Sequence, residues 1–259
     1  MQWNYRKVDD KRTGDSTDGS NMLQKDSLME HHENRRMFDY IAPYYDKTNR
    51  ILSLGLDHYW RHKGVRALMS NQAQLILDVG AGTGDIGIKI VKDYRDKIIV
   101  GIDTSLMMMR IGLEKARGKG LGNNITFCSS DVLNLCFEDN VFDGAITSFC
   151  IRNVENRQLA LDEIFRVLKH GAKLVIVELT QPQGGVMKPL FNIYSKLVTP
   201  LITGIFSSVS AYNYLTESMA DFPKPSEFSL LLQQAGFEKI HYFHLTFGIV
   251  TVYEAIKPT

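Results

Sequence analysis

Asp78-Val79-Gly80-Ala81-Gly82-Thr83-Gly84-Asp85 decides the fold of this chain. Leu75-Ile76-Leu77 runs into it as a short apolar strand, and Ile86, Ile88, Ile90 and Val91 leave it on a helical pattern. A strand that breaks into glycines and then becomes a helix is the first turn of a doubly wound α/β domain. Glycine lets the backbone turn sharply there and lets a ligand press against bare main chain.

The details of the turn choose among ligands. A dinucleotide fingerprint reads G-x-G-x-x-G, with the last glycine seating the helix near a pyrophosphate. Here the glycines fall at 80, 82 and 84, and position 85 is Asp. A carboxylate at the helix start repels a pyrophosphate and suits a ligand with a cationic head. Nineteen residues beyond Gly84, after Ile98-Ile99-Val100-Gly101-Ile102, stands Asp103. An acid there is placed to accept both hydroxyls of a ribose. Ribose plus a positively charged centre describes S-adenosylmethionine and disfavours a nicotinamide cofactor. The alternative is a plain turn that binds nothing. Three alternating glycines, two flanking carboxylates and a strand-end acid argue against it.

Composition bounds the rest. A chain of 259 residues, 44% hydrophobic, suits one large domain or a core with a lid. The formal net charge of +1 and the lack of a dense Lys/Arg block give no basic face, so no nucleic-acid partner is expected. Cys128, Cys136 and Cys150 lack C-x-x-C spacing. They point to neither a metal site nor a disulfide framework, and read as buried thiols in a reducing compartment. No apolar run reaches the roughly 20 residues of a membrane helix. Asp9, Asp10, Asp15 and Asp18 interrupt any signal peptide and are foreign to a mitochondrial presequence.

The pattern along the chain predicts a mobile polar arm over residues 1–30 and a single domain over 31–259. Phe38, Ile41, Tyr44 and Tyr45 recur at helical spacing, followed by Ile51, Leu52, Leu54, Leu56 and Trp60. Residues 31–70 are therefore either a lid over the cofactor mouth or a helix pair that caps the sheet, and composition alone favours the second. Strands are expected at 75–79, 97–103, 125–130, 142–148, 173–179, 238–246 and 249–256. Helices are expected at 85–95, 104–118, 156–169 (stopped by Gly171) and 226–235. Alternation of this kind implies a mostly parallel sheet with right-handed crossovers. The final pair of strands, joined tightly at Phe247-Gly248, makes the last strand antiparallel. That reversal is common in the Rossmann-like class I methyltransferase fold. Residues 181–222 interrupt the alternation with an apolar helical insert, either sheet-covering core or a wall for a greasy substrate.

Three separated motifs resemble the quinone-biosynthesis C-methyltransferases of the menaquinone and ubiquinone pathways. The first runs from Tyr45-Asp46 through Asn49, Ser53 and Trp60, and is similar to the family's lid. The second is Phe142-Asp143-Gly144-Ala145-Ile146-Thr147-Ser148-Phe149-Cys150-Ile151-Arg152-Asn153-Val154, similar to a strand followed by Phe-Gly-x-Arg-Asn. The third, Arg166-Val167-Leu168-Lys169-His170-Gly171-Ala172-Lys173-Leu174-Val175-Ile176-Val177-Glu178, is shared by many methyltransferases. Tyr212-Asn213-Tyr214-Leu215, Ser218 and Phe222-Pro223 also fit. The resemblance covers roughly residues 37–257. Cys150 stands where the family usually has Gly, Thr48 where Met is common, His170 and Ala172 replace Pro and Gly, and Tyr253 replaces a frequent His. Cys150, beside Arg152, is expected to reshape the acceptor pocket that the resemblance implies.

The resemblance implies an S-adenosylmethionine-dependent methyltransferase acting on a prenylated quinol, menaquinone type over ubiquinone type. Gly80, Gly82 and Thr83 are expected against the methionine part of the cofactor, Asp103 on the ribose, Asp131 and the Val132 N–H at the adenine, and Ser148 near the sulfonium. Asp131 reads equally well as a cap for the turn that follows it. Arg152 and Asn153 are the expected catalytic pair. Phenols titrate near pH ~10, and a guanidinium can stabilise the forming phenolate and orient a water that takes the proton. The bland reading pairs Arg152 with Glu155 or Asp46 as a lid anchor. Tyr45, Asn49 and Trp60 are expected as lid and acceptor contacts, and His58 or His62 as alternative bases. An isoprenoid tail implies a cytoplasmic protein with transient contact at the inner membrane face through residues 190–206, and a homodimer is left open. Three other functions stay open: the benzoquinol methyltransferase of the ubiquinone pathway, methylation of another small molecule, and a non-catalytic S-adenosylmethionine-binding scaffold subunit.

Overall fold

The computed structural model describes residues 34–70, 72–182 and 217–259. The expected arm and most of the apolar insert, including Tyr212-Asn213-Tyr214-Leu215 and the whole of 190–206, lie outside the described residues.

The described chain opens with helix α1 (34–41), a short 3-10 turn (Ala42–Tyr44), α2 (Tyr45–Leu52) and α3 (Asp57–Met69). Then the expected alternation begins: β1 (Leu75–Val79), α4 (Asp85–Asp93), β2 (Ile98–Asp103), α5 (Leu106–Gly118), β3 (Ile125–Ser129) and β4 (Phe142–Ser148). A 3-10 turn (Ile151–Asn153), α6 (Arg157–Val167), β5 (Leu168–Leu179), α7 (Pro225–Gln234), β6 (Glu238–Leu245) and β7 (Val250–Ile256) complete it.

The seven strands form one sheet in the order β3-β2-β1-β4-β5-β7-β6. β1 pairs in parallel with both β2 and β4, and β7 is antiparallel to β5 and β6. The expected doubly wound sheet with a reversed last strand is therefore present. Strands buried on both faces read as continuous apolar runs, and β1 shows why. Leu77 and Val79 pack into the layer beneath α6 and α7, while Ile76 packs into the layer beneath α3 and α4.

The two readings of residues 31–70 apply to different halves. Trp60, Val65 and Leu68 of α3 are buried against the sheet. A Cβ on Gly64 would sit 2.4 Å from Val177 Cγ2, so the helix lies directly on β5. Residues 34–45, by contrast, reach the cavity described below.

Several expectations are corrected. α6 ends at Val167 and the chain passes straight into β5. Gly171 lies inside that strand, in an irregularity where pairing with β4 jumps from Phe142–Leu168 to Gly144–Lys173. The helix needs no glycine stop because Lys257 gathers its loose carbonyls. Lys257 Nζ donates to Phe165 O at 2.8 Å, Leu168 O at 2.7 Å and Asn140 Oδ1 at 2.9 Å. Lys169 and His170 are accordingly strand residues. β6 and β7 are joined by a 3-10 turn, Thr246–Gly248, that holds Thr246 and Phe247 at φ 47° and 55°. Among the described residues no helix is long and apolar enough to cross a membrane.

One core carboxyl makes the fold pH-dependent. Asp78 is buried on β1, and burial raises its pKa to about 7, against downward pulls from the Gly87 N–H at 3.2 Å and from the Arg61 charge. A carboxyl whose folded pKa lies above its unfolded value holds an extra proton when folded, so its cost grows as pH rises from about 4 to about 7. A shift of this size corresponds to on the order of 4 kcal/mol. Asp78→Asn keeps an acceptor for Gly87 and carries no charge. Urea titrations of wild type should lose stability across that window, and those of Asp78→Asn should be much flatter. Equal slopes would refute the assignment.

Candidate active site

Parallel strands end at one edge of the sheet, and where neighbouring connections diverge a crevice opens. Here β1 is that point, with β2 on one side and β4 on the other. A cavity of about 350 Å³ lies at their carboxyl ends. Gly80 and Gly82 reach it from the glycine turn, Asp103 from the end of β2, Asp131 and Val132 from beyond β3, and Ser148 from the end of β4. Arg152 and Asn153 enter from the 3-10 turn after β4, and Phe38 and Tyr45 from the N-terminal helices.

Asp103 is poised to accept. Its Oδ2 takes the Gly82 N–H at 2.8 Å and its Oδ1 takes the Ser105 N–H at 2.9 Å. The Thr104 N–H bonds the carboxylate as well, and with about four acceptor positions it still has room for a ligand hydroxyl. Burial raises its pKa, and the Ser105 and Gly82 N–H groups pull the other way. Across the cavity, Asp131 Oδ1 accepts the Leu133 N–H at 2.9 Å. The capping role is therefore present alongside its place at the cavity.

The glycine turn is shaped around one side chain. Gly80 has φ 65°, and a Cβ there would lie 2.2 Å from Cys150 Sγ. Cys150 thus fills the space that Gly80 leaves. Burial pushes its thiol up to about 12, so it stays protonated near neutral pH. Cys128 and Cys136 lie away from the cavity with sulfurs 3.8 Å apart. All three cysteines are only partly buried, which departs from the expectation of buried thiols.

The end of β4 holds strained and unsatisfied groups. Phe149 is a non-glycine residue at φ 61°, a conformation that persists only where the surroundings enforce it. Its ring is wedged edge-on against Trp60, with centroids 6.1 Å apart, and the Arg61 guanidinium lies 5.4 Å from its centre. Ser148 Oγ and Asn153 Oδ1 are buried without hydrogen-bond partners among the described residues. Polar atoms left open at a cavity wall are points where a ligand supplies the partner.

Arg152 is held by Glu178, a partner the sequence reading missed. Its Nη1 donates to Glu178 Oε1 at 2.7 Å and to Phe149 O at 2.6 Å. Its backbone N–H donates to Glu178 Oε2 at 3.2 Å. Glu178 is fully buried, at the end of β5. The fork of the guanidinium is thereby fixed in one orientation at the cavity edge. Glu178 was visible only as the last residue of the third motif, and nothing in its spacing linked it to Arg152.

Other expected residues do not line the cavity. Trp60 lies behind Phe149 and donates from Nε1 to Thr246 Oγ1 at 2.7 Å. Thr83 is buried and donates to Asp46 Oδ1 at 2.5 Å. Asn49 acts through Tyr45: burial raises the Tyr45 pKa, while the Arg152 charge and a hydrogen bond to Asn49 lower it. His58 and His62 are absent from the lining as well. Asp85 faces the protein rather than a ligand. Its Oδ1 pairs with Lys115 at 2.6 Å and its Oδ2 with Arg61 at 3.3 Å. Burial pushes this carboxyl up, yet the two cations outweigh it and its pKa falls below the usual range.

The contact between Gly80 and Cys150 yields a paired test. Gly80→Ala meets both backbone strain and a clash, and should weaken S-adenosylmethionine binding about tenfold or more. Adding Cys150→Gly removes the clash but not the strain, so calorimetry should show partial recovery. Full recovery, or none, would contradict the packing described.

Comparison with known proteins places the chain. The model of the ubiE/COQ5 methyltransferase family matches residues 26–257. The demethylmenaquinone methyltransferase of Bacteroides fragilis is 42% identical over 223 residues, covering 86% of this chain and 91% of that protein. The ubiquinone/menaquinone biosynthesis C-methyltransferase UbiE of a Geobacter species is 42% identical over 224 residues, covering 86% and 95%. Among solved structures, the [4+2]-cyclase SpnF has a TM-score of 0.65 at 19% identity, covering 86% of this chain and 94% of its own. The phosphoethanolamine N-methyltransferase 2 of Haemonchus contortus, solved with S-adenosyl-L-methionine, has a TM-score of 0.57 at 15% identity, covering 76% and 53%. The two structural likenesses speak to the fold alone. The family match and the identities to curated relatives go further: this chain belongs to the ubiE/COQ5 methyltransferase family.

Proposed function

We propose that the chain transfers the methyl group of S-adenosylmethionine to a ring carbon of a prenylated demethylmenaquinol, forming menaquinol in respiratory quinone biosynthesis. The observation that carries this reading is a cavity that joins Asp103, with acceptor capacity to spare, to a fixed Arg152 beside Asn153. The relatives from Bacteroides fragilis and Porphyromonas gingivalis, at 42% and 40% identity, are named for the menaquinone reaction alone. That favours a naphthoquinol over the benzoquinol of the ubiquinone pathway.

The residues present fit the cofactor. S-adenosylmethionine supplies a methyl group already activated by its sulfonium. Asp103 takes the ribose hydroxyls with the acceptor capacity left by Gly82, Ser105 and Thr104. Asp131 and the Val132 N–H face the adenine, and the main chain of Gly80 and Gly82 faces the methionine part. Ser148 Oγ, open at the end of β4, lies toward the sulfonium. Thr83, whose hydroxyl is committed to Asp46, is reassigned to holding the N-terminal helices.

The acceptor ring sits between Tyr45, Phe149 and Arg152. Arg152 stabilises the phenolate that forms as the ring hydroxyl loses its proton to an ordered water. Asn153 Oδ1 accepts from the same ring's second hydroxyl. Electron density from the phenolate forms the new carbon–carbon bond as the methyl–sulfur bond breaks and its pair goes to sulfur. The ring hydrogen displaced at that carbon then leaves to water, restoring aromaticity. Cys150 narrows this part of the cavity and tunes which ring substituents fit.

A tailed substrate calls for contact with a lipid surface. The described residues offer such a face on the N-terminal helices, where Tyr44, Ile51 and Leu54 are exposed, Leu54 by 74%. The three acids of residues 34–70 all hold internal bonds: Asp39 to Ser105, Asp46 to Lys115, and Asp57 to Arg61. The outer face is thus apolar and basic, as anionic membrane surfaces favour. The exposed edge strand β6, with Tyr242 and Phe243 partly open, supports a second copy of the chain as a further partner.

An anaerobic assay with methyl-labelled S-adenosylmethionine should label reduced demethylmenaquinol in preference to a benzoquinol, read by mass. No label in either product would overturn the assignment. Replacing Arg152 alone strands a buried Glu178 charge at a cost of about 3–5 kcal/mol. The variant of choice is therefore Arg152→Gln with Glu178→Gln. Its turnover should fall about 100-fold or more, with cofactor affinity changed by less than about threefold. Undiminished turnover would refute the catalytic role of Arg152, and a variant without turnover that still supports quinone synthesis in cells would favour a scaffold role. Flotation with anionic vesicles should retain wild type, and light scattering reads the oligomeric state.

A further inference from the structure

We propose that Lys115, which does not line the cavity, is a positioning residue: it latches the lid helix α2 onto the core and so sets Tyr45 against the acceptor.

The argument starts from how little else holds α2. None of its eight residues is fully buried, so its apolar packing is slight. At its far end Arg50 Nη1 pairs with Asp57 Oδ1 of α3 at 3.0 Å, and in its first turn, next to Tyr45, stands Asp46. Asp46 Oδ2 accepts from Lys115 Nζ at 2.7 Å, and Asp46 Oδ1 accepts from Thr83 Oγ1 at 2.5 Å. Lys115 Nζ also donates to Asp85 Oδ1 at 2.6 Å and to Thr83 Oγ1 at 3.2 Å. An ammonium has three protons, and all three are committed here. Asp85 passes the chain of contacts to Arg61 and on to Asp57, at 3.3 and 2.6 Å. One ammonium therefore ties the lid to α5 and to the Asp85–Arg61–Asp57 chain, beside the direct bonds from Asp46 to Thr83 and from Arg50 to Asp57.

The strength of this latch suits opening and closing. The side chains of Lys115, Asp46 and Asp85 keep 25%, 36% and 25% of their exposure. Half-open ion pairs are weak and screened by salt. Removing the ammonium does more than delete a contact. It leaves Asp46 and Asp85, which share the same nitrogen, as two facing carboxylates, and their repulsion drives the lid outward. Tyr45 moves with Asp46, because it is the adjacent residue in the helix. The Phe38 ring, 6.3 Å from that of Tyr45, loses its edge contact in the same motion.

The inference rests on the proposed reading only in placing the acceptor beside Tyr45, and its test has one arm that needs no acceptor. In hydrogen exchange, Lys115→Met should speed exchange over residues 45–52 and leave β1 unchanged. In the assay, Lys115→Met should raise KM for the quinol about five- to tenfold, with KM for S-adenosylmethionine changed less than about twofold and kcat little altered. Lys115→Arg should recover most of the loss. Raising salt from about 0.05 to about 0.5 M should raise the wild-type KM and leave that of Lys115→Met flat. Asp46→Asn preserves size on a partly exposed helix, and should reproduce the KM effect. The double variant should be no worse than Lys115→Met alone, as expected for two ends of one interaction. Unchanged exchange over 45–52, or losses that multiply in the double variant, would overturn the latch. Normal exchange effects without any quinol turnover would instead refute the proposed substrate and leave the latch standing.

Discussion

Parallel pairing on both sides of β1 is the constraint on which everything else rests. A parallel strand cannot be reached by a tight turn, so each connection must cross a face of the sheet. The chain crosses one way from β1 to β2 and the other way to reach β4, and the crossovers part at the carboxyl edge. The glycine turn, Asp103 and Ser148 come together because they end three neighbouring strands. The two apolar layers then lock the edge in place, one beneath α3 and α4, the other beneath α6 and α7.

That edge carries polar groups that an ordinary core would not keep. Asp78 is buried with its pKa raised, Glu178 is fully buried against Arg152, and Phe149 holds a left-handed backbone. Each is unfavourable locally and is offset by packing around it. All three lie at the carboxyl end of the sheet, beside the cavity. A fixed guanidinium next to open acceptors and donors stabilises charge that develops during a reaction better than mobile groups do.

The fold does not choose the chemistry. A [4+2]-cyclase and a phosphoethanolamine methyltransferase share this architecture at under 20% identity. Three features of the present chain are set onto that architecture: the Tyr45-Asp46 helix, the Arg152-Asn153 turn and Cys150 packed under Gly80. These elements precede β1 or follow β4. The glycine turn lies between them.

Local pattern alone determined the order of strands and helices, since a strand buried on both faces must read as an unbroken apolar run and a capped helix must show its period. It also placed Gly80, Gly82, Asp103, Asp131 and Ser148 on the correct edge, because each follows or ends a strand. Partnerships between distant residues were another matter. Arg152 with Glu178, Asp46 with Lys115 and Cys150 with Gly80 are separated by 26, 69 and 70 positions, and no periodicity links them. The division of residues 31–70 between a sheet-covering α3 and a cavity-edge segment was likewise hidden, because both halves are amphipathic. Asp85 shows the reason most plainly: one residue at a helix start reads as a ligand contact, and only the packed neighbours reveal that Arg61 and Lys115 already claim its charge. Electrostatic partnership depends on distance in space, and that is decided when the layers close.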